Sequence, residues 1–218
     1  DINALKMSVM RGLSIPTGIP LPAGLAAGVP AALEKRHEFD PAKAKKLLAE
    51  AGYPAGFGFT LHCPNDRYLN DEKICVAVAA MWARIGLKVR VEAMAKAKFF
   101  PKMQNRDTSA FLAGWGGAAT DAIFILKPVM HSRNDKGAGD ANYGDAKIEE
   151  LDTLIDKLEG EMNLVERQNM IDRATKLMQD EVHVIPLHRQ IIPWASRKNV
   201  TVLHRPNNLL DLHWVVIK

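Results

Sequence analysis

The sequence predicts a single α/β domain whose β-sheet is parallel or mixed. The main observation is a strand, a helix and a second strand within residues 57–92, joined by short connections, because this order is the βαβ unit of such sheets. The 218 residues are also 47% hydrophobic and 25% charged, which is typical of a globular protein with a core of its own. No internal repeat or low-complexity tract divides the chain. Residues 1–218 are therefore treated as one domain.

The N-terminal third is predicted to hold two helices separated by a long loop. Residues 1–13 place their apolar side chains on one helical face. Residues 14–39 are predicted to form a Pro/Gly-rich surface loop, because the prolines and glycines at its start exclude a regular helix. The next helix has Asp40 as its N-cap and Pro41 in its first turn, and Gly52 is predicted to end it.

The βαβ unit follows from the apolar pattern. Alternation from residue 57 to 61 predicts a strand, the polar residues 64–70 predict a loop, and a helix is predicted over 70–85. Clean alternation over 87–92 predicts the returning strand. The remaining predicted elements are a helix over 95–105 interrupted by Pro101, a strand at 109–112, a polar loop at 132–143, helices at 145–160 and 163–181, and strands at 182–188, 191–192, 200–202 and 214–216.

Charge and hydropathy narrow the classes of partner. The formal net charge is +4, and the basic residues are dispersed rather than clustered with aromatics, so nucleic acid is not a predicted partner. No run approaches the ~18 apolar residues of a membrane span. The chain begins at Asp1 without a basic and apolar leader, so any signal peptide is expected to be absent from this sequence, which does not argue for the cytoplasm.

The histidines predict no metal site. His183 and His188 are five residues apart, which places them on opposite faces of a strand. Neither they nor His204 and His213 have the spacing of a zinc motif. No nucleotide or dinucleotide fingerprint is present either. We therefore expect neither a metal nor a cofactor.

Two cysteines, Cys63 and Cys75, flank the polar loop. They permit one disulfide or two small buried thiols, and the sequence leaves both interpretations open. Cys75 is also the one nucleophile that an enzymatic alternative could use. In that alternative, the chain is a small hydrolase or transferase that pairs Cys75 with a histidine.

A glycine-rich segment after the strand at 109–112 is the clearest candidate for a ligand contact. Trp115 lies among glycines there, with Gly114 before it and Gly116 and Gly117 after it. Glycines allow a backbone to approach a ligand closely, and a Trp side chain offers a flat apolar wall with one N–H donor. The segment carries no nucleophile or base, so it indicates binding rather than catalysis. The alternative is a buried Trp at the end of a core strand.

The loop between the first strand and the second helix is the other candidate. It places Asn65, Asp66, Arg67 and Tyr68 after a strand, and open α/β sheets bind ligands at loops that follow the carboxyl ends of strands. Arg67 could hold a ligand carboxylate through a bidentate pair. In the alternative, Arg67 pairs with Asp66 or Asp71, and the asparagines of the loop serve as caps.

Residues 40–53 read D-P-A-K-A-K-K-L-L-A-E-A-G-Y and resemble a signature of the family 5 extracellular solute-binding proteins. These are the dipeptide- and oligopeptide-type receptors of bacterial ABC transporters. The resemblance continues in order through C-P-N-D-R-Y at 63–68, I-G-L-K-V at 85–89, G-W at 114–115 and I-P-L-H at 185–188.

The resemblance implies one lobe of a two-lobe periplasmic binding protein of the class II type, with a mixed β-sheet flanked by helices. Family members are longer, so the chain is expected to be a lobe excised from such a protein. The implied function is that of a periplasmic monomer without catalysis. It captures a peptide-like or other small solute between its lobes and delivers it to permease subunits in the inner membrane. A stand-alone interaction module is a further alternative.

The resemblance also assigns ligand contacts. In peptide receptors the residues after G-W line the cleft, and residues 114–117 match that pattern. An aspartate that pairs with the peptide amino terminus would fall at Ala118. Asp121 could replace it only if the loop turns back. Because a buried ammonium needs a charge partner, the ligand is not predicted to be a plain peptide held by its amino terminus; modified peptides, opines, sugars and other small solutes stay open.

Overall fold

The computed structural model describes residues 1–21, 31–116, 121–205 and 208–218. The helices in chain order are α1 (Ile2–Ala4, continued by a π-helical turn at Leu5–Val9), α2 (Ala31–Glu34), α3 (Pro41–Glu50), α4 (Asp71–Ala83), α5 (Lys96–Gln104), α6 (Ile123–Ile125, continued by a π-helical turn at Leu126–Met130), α7 (Glu149–Gly160) and α8 (Leu164–Asp180). The strands are β1 (Ser14–Pro16), β2 (Gly58–Pro64), β3 (Lys88–Met94), β4 (Ala110–Phe111), β5 (His188–Gln190), β6 (Val200–Thr201) and β7 (Val216–Ile217).

The main sheet has the strand order β3-β2-β4, and both pairings are parallel. The connection from β2 to β3 contains α4, and the connection from β3 to β4 contains α5. This confirms the predicted βαβ unit and the α/β class. Antiparallel pairing occurs between β1 and β5 and between β6 and β7, in separate two-stranded sheets.

One face of the main sheet packs on α4. Leu61 and Cys63 of β2 and Cys75 of α4 form the buried centre of this cluster. Because successive side chains of a strand point to opposite faces, Thr60 and His62 lie on the other face, where no such apolar cluster forms among the described residues.

A second, larger core is helical. It joins α6, α7 and α8, and its fully buried members include Leu126, Leu151 and Ile155. Residues 121–131, for which the sequence predicts no element, supply four core side chains, at Ala122, Ile125, Leu126 and Met130. Their apolar spacing is interrupted by Lys127 and Pro128, which conceals the helix in the sequence.

The predicted surface loop over residues 14–39 is wrong for residues 14–21 and 31–34, whereas residues 35–39 are irregular and mostly exposed. Ser14–Pro16 forms β1, and Ile19 and Leu21 are fully buried in the helical core. Prolines exclude a helix, but they do not prevent an extended segment from burying the apolar side chains between them. Gly18 is tightly packed there, since a Cβ would come within 2.8 Å of the Glu34 carbonyl oxygen. Residues 22–30 of this predicted loop lie outside the described part of the chain.

The predicted caps of α3 are present, but none of its side chains is buried. The Asp40 carboxylate accepts a hydrogen bond from the Lys43 N–H at 2.9 Å, and Gly52 follows the helix with a φ of +88°. Leu47 is nevertheless half-exposed. In α5 the helix continues through Pro101 rather than being interrupted.

The C-terminal part is less regular than predicted. Residues 182–187 form turns and irregular chain instead of a strand, and Val182 has a left-handed φ of +49° directly after α8. None of the helices in the described ranges has the length and apolar character that crossing a lipid bilayer requires.

Candidate ligand-binding site

Two loops meet at the carboxyl edge of the main sheet. One, residues 65–70, follows β2, and the other, residues 112–116, follows β4. These two strands are neighbours and run in the same direction, so the chain reverses away from the sheet at the same edge. The Leu112 N–H donates to the His62 carbonyl at 2.9 Å, which keeps the second loop against β2 as it leaves the sheet. Such an edge is where open α/β sheets bind ligands.

Tyr68 and Gly114 bring the two loops into contact. The Tyr68 hydroxyl donates to the Gly114 carbonyl at 3.2 Å, and the phenol ring lies over the glycine. A Cβ at position 114 would stand only 2.9 Å from Cε1 of Tyr68. The approach of ring to backbone therefore depends on glycine.

Trp115 is half-exposed, at 48% of its full accessible area. Its indole N–H donates to the Phe124 carbonyl at 3.1 Å, which fixes the ring against the start of the helical core. This exposure does not fit a core Trp. Gly116 is exposed as well, while Gly117 and Ala118 lie outside the described residues.

Asp71 organises the first loop, a role that the sequence analysis did not assign to it. One of its carboxylate oxygens accepts hydrogen bonds from the N–H groups of Arg67 and Tyr68, both at 3.0 Å, and the residue is buried. An aspartate in the first turn of a helix is a known acceptor for nearby N–H groups, so its position at the start of α4 was the available signal.

The predicted local pairing of Arg67 does not form. Asp71 binds backbone N–H groups, and the Asp66 carboxylate accepts from the Lys96 N–H at 2.6 Å, at the start of α5. The Arg67 guanidinium lies 5.0 Å above the Tyr68 ring centroid. Within the described ranges it makes no ion pair, and its side chain is exposed.

The asparagines of this loop do not act as the predicted caps. Asn65 is exposed, and its backbone N–H donates to the Met94 carbonyl at the end of β3. Asn70 has a left-handed φ of +57°, and its side-chain amide donates to the Val9 carbonyl at 3.0 Å. Asn70 thereby ties the loop to the N-terminal helix instead of capping α4.

Asp121 has a different role from the one that the resemblance suggested. Both of its carboxylate oxygens lie 2.8 Å from Nη2 of Arg167 on α8, and one accepts from the Ile123 N–H. Partial burial works to raise the pKa of Asp121, but the hydrogen bonds from Ile123 and Arg167 and the guanidinium charge outweigh it, so the pKa lies below its usual value. The carboxylate thus anchors the chain to α8, and its charge is already paired instead of being free for a ligand amine.

The two cysteines are buried free thiols in the structure. A hydrogen bond with the Cys63 thiol, together with burial, raises the pKa of Cys75 far above its usual value. Since the thiolate is the reactive form, this environment does not support the alternative of a cysteine-dependent enzyme. Among the described residues, no group of three or more His, Cys, Asp and Glu side chains is arranged to hold a metal ion.

Comparisons with known proteins agree with this fold. Residues 1–137 match the model of the bacterial extracellular solute-binding proteins, family 5, in its middle region. The chain belongs to this family. Its relatives are solute-binding proteins rather than enzymes, and the family is described as extracellular.

Individual relatives are each longer than this chain. Heme-binding protein A of Haemophilus influenzae is 28% identical over 161 residues, which are 71% of this chain and 28% of that protein. Glutathione-binding protein GsiB of Shigella flexneri is 26% identical over 205 residues, which are 91% of this chain and 39% of that protein. The chain thus spans well under half of the relatives it matches.

A solved structure supports the same fold. The periplasmic binding protein DppA of Helicobacter pylori, determined in complex with the peptide STSA, superposes with a TM-score of 0.83 at 20% identity. The superposition covers 100% of this chain and 42% of that one. The expected fold, part of a periplasmic binding protein, is therefore confirmed.

Proposed function

We propose that the chain is the ligand-binding lobe of the substrate-binding component of a bacterial ABC importer. It would capture a small solute in a cleft shared with a second lobe and deliver it to the membrane permease. The observation that carries this proposal is the meeting of two strand-end loops around Trp115, Tyr68 and Gly114, in a chain of the solute-binding family. The solute would bridge both cleft walls, and its contacts with each would favour the closed form.

Each residue of the site has a distinct proposed role. The exposed face of Trp115 provides a flat apolar wall. Gly116 lets the solute approach the backbone, as would Gly117 after it. The space beside Gly114 is taken by the Tyr68 ring, so Gly114 positions that ring, and Ala118 would present only a methyl group. The Asn65 amide and the Tyr68 ring edge belong to the first loop and would line the cleft there.

Arg67 is proposed to hold a carboxylate or another acidic group of the solute. It is exposed, it rests on the Tyr68 ring, and no carboxylate of the described chain engages its guanidinium. Since Arg167 already neutralises Asp121, the carboxylate that could replace the missing amine partner is not free to hold an ammonium, whereas Arg67 is free to hold an acidic group. This favours an acidic or modified peptide, as in a glutathione-like solute, over a peptide held by its amino terminus. The periplasm is the proposed location, because such importers collect solutes outside the inner membrane.

A thermal-shift screen of the two-lobe receptor tests the proposal. The panel contains dipeptides, tripeptides, glutathione and heme, and we expect at least one acidic solute to raise the melting temperature. Trp115→Ala should then weaken its binding by about tenfold or more with little loss of folding, because exposed aromatic anchors dominate small interfaces. Trp214→Ala, at another exposed Trp, is the matched control and should leave affinity unchanged.

Two results would contradict the proposal. One is an unchanged affinity in Trp115→Ala, because this result would show that the indole does not contact the solute. The other is tight binding of a small solute by residues 1–218 alone, because a site shared between two lobes should be incomplete in one of them.

A further inference from the structure

An apolar pocket lies beside the C-terminal end of α8. Ile2 at the start of α1, Met178 near the end of α8 and Ile185 after it are among the apolar residues of its lining. None of the described residues that line it belongs to the two loops of the candidate ligand site. Its volume is about 120 Å³, close to the ~150 Å³ of an apolar cavity that binds benzene. The pocket is therefore large enough for a small apolar group.

The wall of the pocket depends on a sharp turn after α8. The His183 N–H donates to the Met178 carbonyl at 3.0 Å, in the turn that commonly ends a helix. Glycine usually occupies the left-handed position of this turn, but here it is Val182, with a φ of +49°. A β-branched residue is strained in this conformation, and strained positions concentrate at ligand-binding sites. The turn directs Val184 and Ile185 back along the helix end, where both line the pocket.

Part of the apolar lining is exposed to solvent. The exposed fraction is 55% for Val182 and 61% for Ile185. Burial of such surface is favourable, so an apolar group that enters the pocket gains free energy from contact with these side chains.

Arg36 is a cation of the same lining, and it lacks a counterion. It is partly buried, and among the described residues no carboxylate lies within ion-pair distance of its guanidinium. The Glu34 carboxylate, two residues earlier, pairs with Arg189 at 2.7 Å instead. Burial lowers the pKa of Arg36, and no carboxylate of the described chain acts to raise it. A partly desolvated guanidinium of this kind favours an anion as its partner.

We propose that this pocket binds a small aliphatic monocarboxylate. The alkyl chain lies among Ile2, Met178 and Ile185, and the carboxylate accepts hydrogen bonds from the Arg36 guanidinium. The pocket thus requires both halves of the ligand, the apolar chain and the negative charge. The site is separate from the proposed solute cleft, and its existence does not depend on transport.

An NMR titration of the purified protein with sodium hexanoate, at ionic strength held constant with sodium chloride, tests the proposal. The backbone amides of Gly18, Val182 and Ile185 should shift and saturate with a Kd of about 1 mM or tighter. Sodium acetate lacks the alkyl chain and 1-hexanol lacks the charge. Each should therefore bind at least about tenfold more weakly than hexanoate.

An arginine variant tests the carboxylate contact. Arg36→Gln should weaken hexanoate binding about tenfold, because a charged donor is lost, but it should leave the weak binding of 1-hexanol unchanged. A general loss of structure would weaken both. Arg133→Gln, at an exposed arginine, is the matched control and should bind hexanoate as the parent does.

An isoleucine variant tests the apolar contact. Ile185→Ala should weaken hexanoate and 1-hexanol alike, by about threefold, because apolar contact is lost. Ile217→Ala, at another exposed isoleucine, is the control and should leave both affinities unchanged. Trp115→Ala should also bind hexanoate normally, which separates this pocket from the cleft.

Three results would overturn the proposal. The first is a set of hexanoate shifts that grow linearly without saturating, because these indicate non-specific contact. The second is 1-hexanol binding as tightly as hexanoate, because the charge then contributes nothing. The third is an Arg36→Gln variant that folds, as judged by circular dichroism, and binds hexanoate with the parent affinity.

Discussion

At the scale of single residues, the left-handed backbone positions are the sharpest constraint. Gly52 and Gly56 both have positive φ, of +88° and +71°, but their surroundings differ. A Cβ at position 52 would meet nothing within 4 Å, whereas one at position 56 would lie 2.0 Å from the Gly86 carbonyl oxygen. The two glycines therefore separate the conformational cost of a side chain from its steric cost.

Alanine substitution at these two glycines should give unequal losses of stability. We expect Gly52→Ala to lower the free energy of unfolding by about 1 kcal/mol, from backbone strain alone. Gly56→Ala should lower it by at least twice as much, because the backbone must move. Urea denaturation measures both, and equal losses would show that the contact with Gly86 relaxes freely.

Asp71 should be the most sensitive residue of the first loop. Asp71→Ala removes three hydrogen bonds to a carboxylate in a buried position, and we expect a loss of about 2–4 kcal/mol in the free energy of unfolding. The neighbouring Glu72→Ala, at an exposed position, is the control and should change it by less than about 0.5 kcal/mol. A small loss in Asp71→Ala would mean that water replaces the carboxylate.

Asp121 should make stability depend on acid. Its pKa is lowered in the folded protein, so it contributes stability above its ordinary unfolded pKa of ~3.9, and this is lost as the pH falls through the lower folded value. Asp121→Asn should therefore destabilise the protein at pH 7 and have little effect near pH 2. Urea denaturation at the two pH values measures this, with the exposed Asp135→Asn as control. An equal loss of stability at both pH values would mean that the effect comes from packing rather than from the carboxylate charge.

At the scale of elements, the sequence predicts best where local signals and burial agree. The Asp40 cap and the following Pro41 place α3 correctly, and the alternation over 87–92 places β3. Both signals arise within a few residues. The helix at 121–131 and the burial of Ile19 and Leu21 could not be predicted in this way, because contacts distant in sequence decide them.

In the candidate site, too, local features could be predicted from the sequence and long-range contacts could not. Trp115 and Tyr68 could be predicted because each follows a strand end, but their anchors on Phe124 and Gly114 could not. The Asp121–Arg167 pair joins residues 46 positions apart, and no local sequence pattern predicts it.

Because Cys63 lies on β2 and Cys75 on α4, the reactivity of the two thiols reports whether β2 and α4 stay packed together. Cys63 and Cys75 are buried and unbridged, so neither should react with a disulfide reagent in the native protein. Both should react once the protein is unfolded without a reductant. A count of zero thiols in the unfolded, unreduced protein would instead establish a disulfide.

At the scale of the whole molecule, the described chain has two cores, one between the main sheet and α4 and one among the later helices. The candidate site lies where the chain passes from the first to the second. The family resemblance anticipated this α/β architecture, although the sequence alone did not indicate that the helical core is the larger of the two.

The hydrogen bond from Trp115 to Phe124 has a consequence for the thermodynamics and kinetics of capture. The indole is already immobilised against the helical core, so a solute that stacks on it need not restrict its rotation. Ordering a rotamer-rich side chain on binding costs about 0.5–1.5 kcal/mol, and here folding has already met that cost. If Trp115 lines the cleft as proposed, association requires no rearrangement of the ring, and changes in solute chemistry are expected to alter the dissociation rate more than the association rate.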